Sequence, residues 1–152
     1  MDLEARLEEL NLALPEPPKP LGAYVPAAEA GGLLFVSGML PVNEGRPAFI
    51  GGVGAELSLE EGRQAARLAA LNGLSIARSA LGTLNRIARL ARLTVYIAGA
   101  PDFGDHAVVA DGASGLLASV FDGRGGHARL AIGAMSLPAG MPIELEMIFE
   151  LG

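Results

Sequence analysis

The chain has no cysteine, which excludes disulfides and thiolate chemistry outright. It has only two histidines, His106 and His127, and they do not stand at metal-ligand spacing to each other, so no metal is expected. Charged residues are scarce, 18% against 51% hydrophobic. That leaves ample core material but little polar surface, and some apolar surface is expected to be buried between subunits. Apolar stretches such as Leu33 to Val36 are far short of the roughly 20 residues a membrane span needs. The opening residues carry Asp2, Glu4, Glu8 and Glu9 among leucines rather than the basic start and apolar block of a secretory signal, so a cytoplasmic setting is expected. A net charge of −6 repels polyphosphates and disfavours nucleic acid as a partner. The clustered Arg86, Arg89 and Arg92 suit a solvated helix or strand edge.

At 152 residues one domain is expected. Leu3, Leu7 and Leu10 at helical spacing predict an amphipathic helix over 2–12. Pro15, Pro17, Pro18 and Pro20 then impose an extended connector, giving an N-terminal segment over 1–19 and a domain over 20–152. Residues 23–38 read as two strands turning at Gly31 and Gly32, followed by a third short strand at 48–50. Gly51, Gly52 and Gly54 read as a flexible link. Ser58 with Glu61 forms a capping box for a long helix to Leu81, closed by Gly82. The alanines of this helix (Ala65, Ala66, Ala69, Ala70, Ala77 and Ala80) would let it lie close to a sheet. A strand follows at 93–98, then a second helix capped by Asp102 and running to Phe121. Gly112 and Gly115 inside it should each cost roughly 1 kcal/mol and so have a packing reason. Gly123 to Gly126 read as a mobile loop before strands at 128–135 and 143–149. The expected architecture is α+β, two helices on a mixed six-stranded sheet whose other face a subunit partner covers.

Alternation in the strand after the glycine loop puts Leu130, Ile132 and Ala134 on one side and Arg129, Ala131, Gly133 and Met135 on the other. Arg129 thus opposes the apolar face, beside small residues that leave room for an anion, and its guanidinium can pair bidentately with a carboxylate. A structural salt bridge to Glu144 or Glu146 accounts equally well for it. Those acids share a face of the last strand, where one could pass a proton if burial raised its pKa, although a solvated face explains the pattern too. His106 is expected on the exposed side of the helix start. His127 stands close enough to the glycine loop to reach a ligand. Ser37 and Ser114 lack a local base partner, and the glycines at 51, 52 and 54 fit no nucleotide-binding spacing.

The run HARLAIGAMSLPAGMPIELE at 127–146 resembles the signature of the RidA/YjgF family, also labelled endoribonuclease L-PSP. GAYV at 22–25 and FVSGMLPVN at 35–43 resemble its first two strands, so the likeness covers about residues 20–151. The N-terminal helix and overall length are similar to a longer RidA-like subgroup of unsettled function. The resemblance implies a chorismate-mutase-like fold, a homotrimeric barrel with clefts between subunits, no cofactor, and an arginine in each cleft that binds a small substrate's carboxylate. Arg129 falls on that arginine, Tyr24 on a cleft tyrosine, Ser37 and Gly38 on its serine and glycine, and Glu144 on a glutamate that helps position water. His127, Leu130 and Met135 depart from the family pattern and alter the cleft wall.

Three functions follow as expectations. One is an enamine or imine deaminase releasing keto acid and ammonia, with Arg129 holding the carboxylate and Glu144 placing water. Another is a non-catalytic trimer sensing a small carboxylate, in keeping with the altered wall. Ribonuclease activity, suggested by the family label, is disfavoured by the acidic pI and the lack of a histidine pair.

Overall fold

The computed structural model describes residues 2–124 and 126–152; Gly125, in the expected glycine loop, lies outside them. The elements are α1 (Leu3–Glu9), β1 (Ala27–Ala30), β2 (Leu33–Met39), β3 (Val42–Asn43), β4 (Arg46–Pro47), α2 (Leu59–Leu81), β5 (Ile87–Ala98), α3 (His106–Val120), β6 (Ala128–Ala134) and β7 (Ile143–Leu151). The capping box forms as the sequence predicts: Glu61 N–H donates to Ser58 Oγ at 3.1 Å and Ser58 N–H to Glu61 Oε2 at 2.7 Å. Gly82 closes α2 with φ of 79°, a conformation open to glycine at little cost.

The main sheet has five strands in the order β1-β2-β7-β5-β6, antiparallel except for the parallel β5–β6 pair. The expected sixth strand at 48–50 is absent. Its place in the chain is taken by a separate β3–β4 ribbon, because the turn at Glu44 and Gly45, both at positive φ, pairs Val42 with Pro47 instead. The glycines at 51–54 are tied down rather than loose: Gly51 N–H donates to Gly140 O at 2.8 Å and Val53 N–H to Ala98 O at 3.0 Å. The second helix begins at His106 after Asp105, not at Asp102, and no side chain caps it. Pro101 to Gly104 form the connection instead.

Both long helices cover one face of the sheet. Ile143, Leu145, Met147 and Phe149 on β7 point into that layer and are fully buried, as are Ala65, Ala66, Ala69, Ala70 and Ala77 on α2. Ala80 lies outside this stripe and is exposed. Gly73 lets α2 settle on the sheet, since a Cβ there would overlap Met147 Cε. Gly112 does the same between helices, where a Cβ would overlap the Arg63 carbonyl of α2. Gly115, by contrast, faces open space, so no packing accounts for it.

Helix α1 joins this core through Leu3 and Leu7, both buried. The Asn85 carboxamide oxygen receives Leu3 N–H at 2.7 Å, and Arg6 Nε donates to Ser119 O at 3.1 Å. The proline connector that follows is held to α2, where Ser75 Oγ donates to Pro15 O. None of the described helices is long and apolar enough to cross a membrane.

The opposite sheet face is uncovered within the chain. Strand register sets Phe35, Ile148 and Arg92 in one row, Glu146, Thr94 and Leu130 in the next, and Glu144, Tyr96 and Ile132 in a third. Its large apolar groups are well exposed: Phe35 41%, Tyr96 36%, Leu130 41% and Ile132 43%.

Candidate functional site

The candidate residues fall into two groups on opposite faces. The crossover from β5 through α3 to β6 lays α3 over the β6 edge, and Asp111 and Ser114, three residues apart on that helix, reach down to the strand. Arg129 Nη1 donates to Asp111 Oδ1 at 2.6 Å and to Ser114 Oγ at 3.2 Å. Ser114 Oγ in turn lies 2.9 Å from His127 Nε2. Burial, and then the Arg129 charge, push the His127 pKa below its ordinary 6.5, which favours the neutral ring; its Nε2 is an acceptor when the ring proton is on Nδ1. In that tautomer the serine hydroxyl, accepting from Arg129, donates onward to Nε2. Asp111, Ser114 and His127 border a cleft of about 550 Å³ that Arg63, Gly115 and Arg124 also line.

This placement corrects two expectations. Arg129 sits on the helix-covered face, and its ion pair is with Asp111 of α3 rather than with Glu144 or Glu146. The small residues beside it make room for α3: a Cβ on Gly133 would lie 3.0 Å from His106 Nε2. Leu130 and Ile132, read as the core side, occupy the uncovered face, and Met135 is fully exposed at 104%. His106 is half-buried, edge-on to Phe103 with centroids 5.2 Å apart.

The second group lies on the uncovered face around β2 and β7. Ser37 and Gly38 stand where the β2–β7 register shifts, and a Cβ on Gly38 would overlap Glu144 Oε1. The Glu144 side chain therefore lies across this glycine. Burial first, and the neighbouring Glu146 second, raise the Glu144 pKa above its ordinary 4.5, so it holds a proton more readily than a free glutamate. Ser37 Oγ donates to Val25 O at 2.8 Å. Tyr24 precedes β1 rather than lying in a strand, and its hydroxyl accepts from Leu21 N–H at 3.2 Å. Tyr24, Val25, Phe35, Ser37, Glu146 and Ile148 rim a shallow depression of about 300 Å³.

Strand order places β7 and β5 between Ser37 on β2 and Arg129 on β6, a separation of about 14 Å at the usual strand spacing. Arg129 and His127 come together; Tyr24, Ser37, Gly38 and Glu144 come together; the two sets do not meet in one chain. Sequence reasoning missed Asp111 and set Ser114 aside for want of a base. Their three-residue spacing on α3 was the available signal, but it points at Arg129 only once β6 is known to lie beneath that helix.

The family model described as "YjgF/chorismate_mutase-like, putative endoribonuclease" matches residues 4–149. The chain belongs to the RidA/YjgF family. The RidA/YjgF chain is similar to Protein TCP17 of Trypanosoma cruzi, 40% identical over 148 residues, which cover 97% of this chain and 92% of that protein. Two solved structures share both sequence and fold with it. The protein Atu1372 of unknown function from Agrobacterium tumefaciens is 38% identical with a TM-score of 0.88, covering 99% of this chain and 94% of its own. A "putative endoribonuclease" from Shewanella oneidensis is 32% identical with a TM-score of 0.94, covering 99% and 100%. In each case the match covers nearly the whole chain.

Proposed function

We propose that the protein is a homotrimeric enamine or imine deaminase whose active cleft is completed between subunits. The observation that carries this reading is the division of the site: within one chain the cation Arg129 and the acid Glu144, whose pKa is raised, lie on opposite faces of the sheet. Both cannot reach one small substrate unless a neighbouring copy brings the second group. The apolar row of Phe35, Tyr96, Leu130 and Ile132 on the uncovered face supports such an association.

In the assembled cleft Arg129 pairs with the substrate carboxylate. Among the described residues only its Nη1 is engaged, so Nη2 and Nε remain to form the second half of a bidentate contact. Asp111 fixes the guanidinium, and that preorganisation lowers the cost of binding. Glu144, with its raised pKa, protonates the enamine and then guides water to the imine carbon, after which ammonia leaves and a keto acid remains. No cofactor enters this scheme.

The test is ammonia release from freshly generated 2-aminoacrylate. Arg129→Ala and Glu144→Gln should each fall to the uncatalysed rate. Unfolding and refolding the two variants together should restore about a quarter of the activity, because random mixing gives that share of clefts both intact groups from different chains. No recovery on mixing, with each variant still trimeric, refutes the shared cleft. A rate unchanged in Arg129→Ala refutes the function.

A second reading is kept by the Arg129–Asp111 pair, which neutralises the anchor at rest and suits a sensor that binds a carboxylate without turning it over. Stabilisation by keto acids with no ammonia release distinguishes it.

A further inference from the structure

The Arg129, Ser114 and His127 chain has a chemical consequence independent of imine hydrolysis. A serine hydroxyl is a poor nucleophile unless a base takes its proton. Ser114 has such a base at 2.9 Å in His127 Nε2 when the ring carries its proton on Nδ1, and burial and Arg129 disfavour the imidazolium cation. Arg129 also donates to the same hydroxyl oxygen at 3.2 Å, which favours charge developing there. Asp111 keeps the guanidinium in place. Gly115, the next residue, presents no side chain and has nothing within 4 Å of where a Cβ would stand, so an electrophile can approach. The cleft carries two cations, Arg63 and Arg124, against one acid, Asp111, in a chain of net charge −6.

We propose that Ser114 is a catalytic nucleophile, with His127 as its base, toward esters whose acyl group carries a carboxylate. In the acylation step Ser114 Oγ bonds to the ester carbonyl carbon while its proton passes to His127 Nε2. The tetrahedral adduct then expels the alcohol oxygen, which takes the proton back from His127. Water repeats the sequence on the acyl-serine, the acid is released, and Ser114 regains its proton. No oxidant, metal or cofactor is involved, and solvent water is the only co-reactant. All the groups belong to one chain, so the activity does not require the subunit contact on which the deaminase reading depends.

The test is hydrolysis of mono-p-nitrophenyl succinate by the full-length protein, with p-nitrophenyl acetate as the neutral comparison. A burst of p-nitrophenolate should accompany a succinyl group on Ser114 located by peptide mass. Ser114→Ala and His127→Gln should slow release by about a hundredfold or more, and Arg63→Ala should abolish the preference for the succinate ester. Melting midpoints matching the unsubstituted protein confirm folding, and S114C should carry the acyl group at the same position. Ile132→Glu, designed to separate subunits, should keep the burst while losing deamination. Acylation confined to Lys19, the sole lysine, or to the terminal amine, or a rate unmoved by Ser114→Ala, overturns the proposal.

Discussion

The two helix glycines of α3 invite the same substitution with opposite results. At Gly112 a Cβ would overlap the Arg63 carbonyl oxygen and lie 2.8 and 2.9 Å from that residue's carbonyl carbon and Cα. All three are backbone atoms of α2, so no side chain can swing aside and the helices must part. Overpacking of this kind costs about 1–3 kcal/mol, and contact with backbone places it at the upper end. Alanine regains about 1 kcal/mol of helix propensity, so Gly112→Ala should lose about 2 kcal/mol net. For a chain of this length that lowers the melting midpoint by about 4–8 °C. Gly115→Ala meets nothing within 4 Å, so only the propensity gain of up to about 1 kcal/mol remains, raising the midpoint by about 2–4 °C. Thermal and urea melts followed by circular dichroism, at one protein concentration to hold association fixed, measure both. A Gly112→Ala protein as stable as Gly115→Ala would refute the close helix contact.

Asn72, buried between α2 and the chain after β2, donates through Nδ2 to Leu40 O and Val42 O, each at 2.9 Å; Asn72→Leu removes both bonds, leaving Leu40 O with Val42 N–H, and should cost about 1–3 kcal/mol in urea melts. Glu144 binds its proton more tightly folded than unfolded, so its contribution is complete below the ordinary 4.5 and is lost as pH rises through and above it. Glu144→Gln should therefore stabilise the protein at neutral pH and lose that advantage in acid, as melts across pH will show. His127 shifts the other way: its contribution is present above 6.5 and falls away as pH drops below it, and His127→Gln should flatten that part of the profile. Under the proposed trimeric assembly, Ile132→Glu should give monomers in sedimentation; an assembly unaltered by the substitution would remove the uncovered sheet face from the interface.

Local signals were legible and distant ones were not. The Ser58–Glu61 box, the Gly82 stop and the shared face of Glu144 and Glu146 depend on neighbours within a few residues, so the sequence alone predicts them. The facing of β6 could not be read the same way. Leu130 and Ile132 are apolar, but so is the uncovered face they occupy, and alternation separates two sides without saying which one meets the helices. The Arg129 partner followed from that facing, because Asp111 lies on an element 18 residues away whose position over β6 is a property of the crossover. Residues 48–50 carry strand-like apolar character, yet Phe49 uses it to pack on the core from a loop while Ile50 stays 62% exposed. The grouping of Ser37, Gly38 and Glu144 came from family resemblance, whereas the distance between that group and Arg129 came only from strand order.

The docking of α1 carries a consequence for the order in which the chain assembles. Seven residues are too few for a helix to persist alone in water, and this one leaves the ribosome before the groups that hold it. Its fixed points, Asn85 and Ser119, follow 82 and 113 residues behind the groups they hold. At roughly 5–20 residues per second of synthesis, α1 waits several seconds before anything exists to receive it, and it closes over α2 and α3 as one of the last events of folding. Backbone amide exchange in α1 should accordingly report the completion of the domain and precede global unfolding when the structure opens.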